Sequence, residues 1–328
     1  MHLPFFTFAL AASAVGVEAL FGYPDWLFKI IGHPVTWMGS LIATLDRQLN
    51  RDTNSAPRRR AAGFLALFIL LLAASLCTQG LGLAVFALFD SRIVWLCTMT
   101  FCASTCLAQR SLARHVGDVA QALESGGLAA GRKAVAHIVG RDVEKLDESG
   151  VCRAAIESLA ENFSDGIIAP AFWIAILGPL GGFLYKAINT ADSMIGHRTK
   201  RYADFGFAAA KLDDLINLAP ARLSAAWICL AAGGARKSMT AWRITLRDAR
   251  GHPSPNAGWP EAAMAGALDL ALAGPRRYTG YAVEEPWIGS GRARATAGDI
   301  HRSLFVMVIA CLLNAGLVIA ILILEYLR

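Results

Sequence analysis

The longest uncharged run of the chain is AAGFLALFILLLAASLCTQGLGLAVFALF, residues 61–89. It is longer than the about 20 apolar residues that an α-helix needs to cross the hydrocarbon of a bilayer. Arg58, Arg59 and Arg60 come directly before it, and basic residues beside a span mark the cytoplasmic side of a membrane. The stretch therefore predicts a transmembrane helix whose N-terminal end is cytoplasmic.

Further apolar runs extend this prediction along the chain. They are Leu3–Phe21, Ile93–Leu107, Gly166–Tyr185, Leu215–Gly234 and Leu304–Leu324. We expect the first to be a retained helix rather than a signal peptide, because no Lys or Arg precedes it. The third and fourth contain proline, which is tolerated at membrane depth only inside protein or beside a wet cavity. The chain is thus predicted to be an all-α polytopic membrane protein with five or six apolar segments, some broken or re-entrant.

Composition favours the same class. The chain is 55% hydrophobic and 17% charged, against about 25% charged residues in soluble domains. The formal net charge of +6 is typical of a membrane protein with Lys and Arg in its cytoplasmic loops. Nucleic-acid binding is not predicted, because the sequence has no basic stripe interleaved with aromatic residues. The cysteines show neither a disulfide framework nor a metal-binding pattern.

The polar segments lie between the apolar runs. Gly22–Arg60, Gln109–Ser164 and Ala235–Arg302 are rich in Lys and Arg, so the positive-inside rule places all three on the cytoplasmic side. Residues 109–164 are predicted to be an insertion of cytoplasmic amphipathic helices within a single integral membrane domain, residues 1–328. Little strand signal is present.

Three carboxylates at intervals of four residues precede the run Gly166–Tyr185. Glu157, Glu161 and Asp165 would share one face of a helix, where their charges repel one another. A metal ion or a cationic ligand would relieve that repulsion; the alternative is an ordinary solvated acidic face. Because the segment leads directly into apolar sequence, we favour a functional site.

A second polar group follows the same run. Its members on one helical face are Lys186, Asn189 and Ser193, with Asp192 beside them. Polar residues that follow an apolar run need partners, and Gly196 is predicted to end the helix. The basic residues after it, which include Arg198 and Arg201, either hold phosphate or form a positive-inside flank.

Two further segments carry candidate ligands. Asp213 and Asn217 would share a helical face, with Asp214 as a second carboxylate. Hard oxygen donors of this kind suit Mg²⁺ bridged to phosphate, although they would also suit the acidic first turn of a helix.

The segment His252–Glu261, HPSPNAGWPE, is predicted to be a rigid loop that presents Ser254, Asn256 and Glu261. The alternative is a plain turn that caps a helix over Glu261–Ala273. His33 lies in a turn before Pro34, where a histidine is more often structural.

Taken together, these segments resemble the CobD/CbiB family of cobalamin biosynthesis. The motifs run in order along most of the chain: Gly32–Val35, Ile138–Asp142, Glu157–Gly166, Tyr185–Met194, Asp213–Leu223 and Ser254–Ala263. The chain departs from the family near its start. Glu18 and Gly22-Tyr23-Pro24 stand where the family often has an aspartate and Gly-Asp-Pro.

The resemblance implies an adenosylcobinamide-phosphate synthase, a multi-pass enzyme of the cell inner membrane whose active site faces the cytoplasm. This amide-forming ligase joins adenosylcobyric acid to (R)-1-amino-2-propanol O-phosphate with ATP and Mg²⁺. Its implied partners are the corrinoid substrate, the lipid bilayer and other membrane-associated enzymes of cobalamin assembly.

On the same premise the candidate residues receive roles. Those assigned to catalysis are Glu157, Glu161, Asn162, Lys186, Asn189 and Ser193. Those assigned to substrate or phosphate are His33, Arg141, Arg198, Arg201, Arg222, Ser254, Asn256 and Glu261. Mg²⁺ is assigned to a subset of Asp165, Asp192, Asp213 and Asp214. We expect all these segments to converge on one wet pocket at the inner edge of the bilayer.

Two other functions are considered. A corrinoid transporter would also carry polar residues on broken helices, but no paired inverted halves are evident in the sequence. A membrane regulator without catalytic activity would not require every family motif to be present.

Overall fold

The computed structural model describes residues 3–140, 142–274, 276–278, 281–283 and 286–327, and these are predominantly helical, as predicted. The helices of the N-terminal half are α1 Leu3–Phe21, α2 Asp25–Ile31, α3 Pro34–Leu49, α4 Ala56–Phe89, α5 Arg92–Ser104, α6 Gln109–Val135 and α7 Glu148–Phe163. The later helices are α8 Ala169–Ile195, α9 Phe207–Ile216, α10 Leu218–Ala231, α11 Ala235–Asp248, α12 Gly258–Leu268 and α13 Ala297–Tyr326.

Short irregular elements complete the chain. A π-helical turn, Ser164–Ile168, follows α7, and a 3₁₀ turn, Ala249–Gly251, follows α11. The strands are β1 Leu272–Ala273, β2 Arg276–Tyr278, β3 Tyr281–Val283 and β4 Trp287–Ile288. β1 pairs antiparallel with β4, and β2 pairs antiparallel with β3.

The chain divides into two compact units. The first unit comprises Met1–Ala108, Ala169–Asn217 and Val318–Arg328, and the second comprises Gln109–Ile168 and Leu218–Leu317. In the first unit, α1, α5 and α8 pack around Leu10, Met99 and Ile174. In the second, α6, α7 and α12 contribute most of a larger apolar core. The prediction of a single membrane domain with a cytoplasmic insertion stays a prediction.

The predicted five or six membrane spans are not confirmed. Within the described ranges, three helical runs are long and apolar enough to cross a bilayer: Ala56–Phe89, Glu148–Ile195 and Ala297–Tyr326. A fourth candidate is the pair Phe6–Phe21 and Asp25–Leu49, which bends by 103°. The predicted segment Ile93–Leu107 forms only the 13-residue α5, and Leu215–Gly234 is divided at Asn217 between α9 and α10.

Local signals in the sequence explain several helix ends and breaks. Asp90 ends α4 in the left-handed conformation, and Ser91 caps α5, which packs against α4 as a helical hairpin. Gly178, with φ of 66° before Pro179, breaks α8 inside the segment predicted to be interrupted. Gly196 follows the end of α8, as predicted. The helix predicted over Glu261–Ala273 is wrong in its bounds, because α12 begins at Gly258 and ends where Asp269 becomes left-handed.

A close backbone contact fixes α4 in the first unit and gives a test of the packing. A Cβ on Gly63 would overlap the carbonyl of Phe205, whereas a Cβ on Gly80, on the same helix, meets nothing within 4 Å. We expect Gly63→Ala to lower stability by about 1–3 kcal/mol through overpacking. Gly80→Ala should be neutral or raise stability by up to about 1 kcal/mol. Thermal unfolding in detergent measures both, and equal shifts in the two variants would contradict the contact.

Candidate functional site

Asp213 lies at the centre of a buried polar cluster in the first unit, and its exposed fraction is 8%. One carboxylate oxygen accepts a hydrogen bond from Asn217 Nδ2 at 2.9 Å, and the other lies 3.4 Å from Asn189 Nδ2. Tyr185 donates its hydroxyl to Asn217 Oδ1 at 3.0 Å, and Lys186 Nζ lies 3.5 Å from Asn189 Oδ1. These five residues are called the Asp213 cluster below.

Two helices bring the Asp213 cluster together. α8 carries Tyr185, Lys186 and Asn189 within about one turn, and α9 packs against it with Asp213 and the C-cap residue Asn217. Asp213 and Asp214 lie at the C-terminal end of α9, where the helix dipole opposes a carboxylate. The alternative that they form an acidic first turn is therefore wrong, and the predicted shared face of Asp213 and Asn217 is confirmed.

The electrostatics of the cluster are unfavourable to the charge on Asp213. Burial is the main cause, and together with the nearby charges of Asp192 and Asp214 it raises the pKa of Asp213 to about 7. The hydrogen bonds from Asn217 and Asn189 act in the opposite direction and offset part of this rise. Three aspartates predicted as metal ligands thus interact electrostatically in the first unit. A cation near Asp213 would be bound favourably.

The donor chemistry of this region fits Mg²⁺, which prefers carboxylate and amide oxygens. No group of three or more His, Cys, Asp or Glu side chains in the described residues is arranged to hold an ion. These two observations agree if the ion takes one or two carboxylates from the protein and its remaining ligands from phosphate and water, as Mg²⁺ commonly does. Asp165, the fourth predicted ligand, lies on the π-helical turn in the second unit.

The basic segment after α8 is tied to α3 by an ion pair. Arg201 Nη2 donates to Asp46 Oδ2 at 2.8 Å, and Asp46 also accepts from Asn50 Nδ2 at 2.8 Å. Arg59 donates to Asn50 Oδ1 at 2.9 Å. The charge of Arg201 is therefore compensated within the protein, while Arg198 is exposed. Asp46 was not among the predicted site residues, although its spacing of four residues from Asn50 was a usable signal.

Two other predicted residues of the first unit have structural contacts. His33 is the N-cap of α3, and its Nδ1 accepts from the Val35 amide at 3.2 Å. Ser193 donates its hydroxyl to the Asn189 carbonyl at 2.9 Å within α8. The structural alternative for His33 is thus supported, and its role in substrate binding stays a prediction.

The carboxylates of α7 lie in different environments. Glu157 is buried, and its Oε1 accepts from the Ala273 amide of β1 at 2.8 Å. Glu161 and Asn162 are exposed, and Asn162 donates to the Ser158 carbonyl at 2.9 Å. The π-helical turn begins directly after α7, so Asp165 does not continue the α-helical face that was predicted for it. The alternative of a solvated acidic face is therefore wrong for Glu157, whose carboxylate is hydrogen-bonded to β1.

A second polar group forms in the second unit from two of the predicted segments. Arg222 Nη1 donates to Asn256 Oδ1 at 2.8 Å, and its guanidinium lies 4.6 Å from the centre of the Trp259 ring. Ser254 Oγ accepts from the amides of Asn256 and Ala257, each at 3.2 Å. These hydrogen bonds hold the loop together internally and place the buried Asn256 against Arg222; its predicted rigidity stays a prediction.

The structure places His252 close to Glu261, a contact that the sequence did not predict. His252 Nδ1 accepts from the Ser254 amide at 3.0 Å, and its Nε2 lies 3.7 Å from Glu261 Oε1. Glu261 is in the first turn of α12, not in the preceding loop. His252 also lines a cavity of about 170 Å³ beside Arg247, Asp248 and Trp287. His252 and Trp259 were missed as site residues, although both lie in the loop that was singled out.

The structure brings some of the predicted residues together within each unit. The first unit brings together Lys186, Asn189, Asp192, Asp213 and Asp214, and the second brings together Arg222, Asn256 and Ser254. Convergence of both groups in one cavity stays a prediction. Arg141 lies outside the described residues.

Comparisons with known proteins cover nearly the whole chain. The family model described as CobD/Cbib protein matches residues 11–307. A cobalamin biosynthesis protein CobD from Sinorhizobium sp is 49% identical over 316 residues, which cover 95% of this chain and 97% of that protein. The proteins of the same name from Rhodobacter capsulatus and Brucella suis are each 46% identical, with 90% and 94% of this chain covered and 91% and 94% of theirs. No solved structure matches.

The raised pKa of Asp213 predicts a pH-dependent effect of Asp213→Asn. A carboxyl with a folded-state pKa of about 7 and an unfolded value of about 3.9 binds protons more tightly when folded, so wild-type stability falls as pH rises through this window. The amide variant lacks this loss. Without added metal, we expect the melting temperature of Asp213→Asn, relative to that of wild type, to increase from about pH 5 to about pH 8. A difference that is constant with pH would contradict the assignment.

Proposed function

The chain belongs to the CobD/CbiB family, and from this premise we propose that it is a membrane enzyme of cobalamin biosynthesis that forms an amide bond. The proposed substrates are adenosylcobyric acid, (R)-1-amino-2-propanol O-phosphate and ATP, and the product is adenosylcobinamide phosphate. The relatives named for cobalamin biosynthesis support the pathway, and the substrates follow from the family resemblance. The proposed location is the inner membrane, with the site on the cytoplasmic side.

The proposed chemistry proceeds through an activated carboxylate. The γ-phosphoryl group of ATP passes to an oxygen of the propionate and gives an acyl phosphate and ADP. The amine nitrogen then attacks the carbonyl carbon, the C–N bond forms, and inorganic phosphate leaves with the oxygen. The ammonium gives up two protons in the process, so a base near the nitrogen would assist the attack.

The Asp213 cluster is the observation that carries this proposal. It places a lysine, a buried carboxylate and amide groups on two packed helices, and such preorganised charges suit phosphoryl and acyl transfer. Lys186 would bind phosphate or carboxylate oxygens, and Asn189 and Asn217 keep Asp213 oriented. Mg²⁺, held by Asp213 with Asp192 or Asp214, would supply neutralisation of phosphate charge.

The second unit would hold and orient substrate. Arg222 donates to Asn256 and stacks on Trp259. These contacts hold its guanidinium in an orientation suited to bind phosphate or carboxylate. Exposed Glu161 is the better candidate for the base of the two glutamates, because Glu157 already accepts from the Ala273 amide. Ser254, Glu261 and Asn162 would contact corrin amides or nucleotide.

The transporter alternative has some structural support, because α8 is broken at Gly178 and polar residues follow the break. It predicts movement of corrinoid into proteoliposomes without ATP and without a change in mass. Formation of an amide product by the purified protein would distinguish the ligase from both the transporter and the regulator.

The proposal is tested by incubating purified protein with both organic substrates, ATP and Mg²⁺ and by measuring product by mass spectrometry. We expect Asp192→Ala and Glu161→Ala each to reduce turnover by at least about 10²-fold, as removal of an acid–base or electrostatic group commonly does. Asp118→Ala, which removes an exposed aspartate of α6, is the matched control and should retain activity. Near wild-type turnover in both Asp192→Ala and Glu161→Ala would refute the residue assignment, and absence of product with wild type would refute the ligase.

A further inference from the structure

A cavity of about 360 Å³ lies in the first unit, and its walls are almost wholly apolar. It is lined by residues of α2, α3, α4, α5 and α8, among them Trp37, Leu70, Leu81 and Phe183. Its volume falls in the range of about 300–1,000 Å³ that is typical of small-molecule sites. Among the described residues assigned to catalysis, phosphate or metal, none lines it.

The polar side chains that line this cavity are already bonded to the protein backbone. Tyr23 donates to the Gly32 carbonyl at 2.8 Å, and Trp37 donates to the Ile31 carbonyl at 2.7 Å. Thr78 and Thr105 donate to the carbonyls of Ala74 and Cys102, each at 2.7 Å. The cavity thus offers only thiols and these satisfied groups to a ligand, and a large cavity with such walls excludes water and favours apolar occupants.

The position of the cavity identifies the source of an apolar occupant. Its α4 wall runs from Leu70 to Leu81, within the uncharged part of a helix that is long enough to span the bilayer. Cys77 and Leu81 both line the cavity and are exposed at the surface of α4, so the cavity opens at this face. At this depth the surrounding solvent is the hydrocarbon of membrane lipid.

We propose that this cavity is a binding site for one acyl chain of a membrane phospholipid. The chain would enter beside Cys77 and pack against α3, α4 and α8, with the headgroup remaining outside. Because lipid tails are as apolar as leucine, close packing rather than the hydrophobic effect would hold the chain in place. The site does not depend on the proposed ligase activity.

Native mass spectrometry of the full chain in a mild detergent tests this site. We expect one phospholipid to stay bound to the wild-type protein. Ala73→Phe places a ring on a lining position and should lower lipid occupancy by roughly tenfold, because the ring fills the space that the chain needs. Ala84→Phe, at an exposed position of α4 outside the cavity, is the matched control and should retain the lipid.

A second measurement uses the wild-type protein alone and so does not depend on the folding of a variant. Delipidated protein is treated with N-ethylmaleimide before and after addition of phosphatidylethanolamine. Alkylation of Cys77, which lines the cavity, should slow several-fold relative to exposed Cys97 of α5, which does not. Equal slowing at both cysteines, equal lipid retention in Ala73→Phe and Ala84→Phe, or retention of an isoprenoid quinone in place of phospholipid would each overturn the proposal.

Discussion

The buried carboxylate of Asp213 is the constraint on which the candidate site depends. A charge taken out of water costs several kcal/mol unless neighbouring groups compensate it, and here the neutral amides of Asn189 and Asn217 donate hydrogen bonds to the carboxylate. These amides come from α8 and from the end of α9, so the two helices must keep their register for the carboxylate to remain bonded. The geometry of the site in the first unit therefore depends directly on the packing of α8 against α9.

The breaks in the helices serve this geometry. A break in an α-helix frees backbone N–H and C=O groups from their hydrogen bonds. In an apolar segment such a break is tolerated only when neighbouring protein or water bonds to these groups. Gly178 supplies a positive φ that other residues rarely adopt, and Pro179 cannot donate an amide hydrogen bond. The π-helical turn after α7 similarly changes which side chains share a face, and such turns are frequent at functional sites.

Charge compensation separates residues that build the fold from those available for chemistry. Arg201 neutralises Asp46, and Glu157 holds the amide of Ala273, so both contribute to the architecture. Arg222, by contrast, donates to the neutral oxygens of Leu218 and Asn256 and keeps an attraction for anions. The first unit also contains the apolar cavity, whose polar atoms are satisfied locally. The polar cluster and the apolar cavity are thus separate surfaces of the same unit.

The sequence by itself determined the apolar helical class, the long apolar run at residues 61–89, the interruption near Gly178, the helix end at Gly196 and the residues that carry the family resemblance. These properties are local, because apolar length, glycine and proline act on the backbone where they stand. Tertiary structure decided which charges are compensated: Arg201 by Asp46, Glu157 by Ala273, and Asp213 by Asn189. It also decided that Ile93–Leu107 forms only a short helix. Such pairings join residues far apart in the chain, and only packing brings their atoms within hydrogen-bond distance.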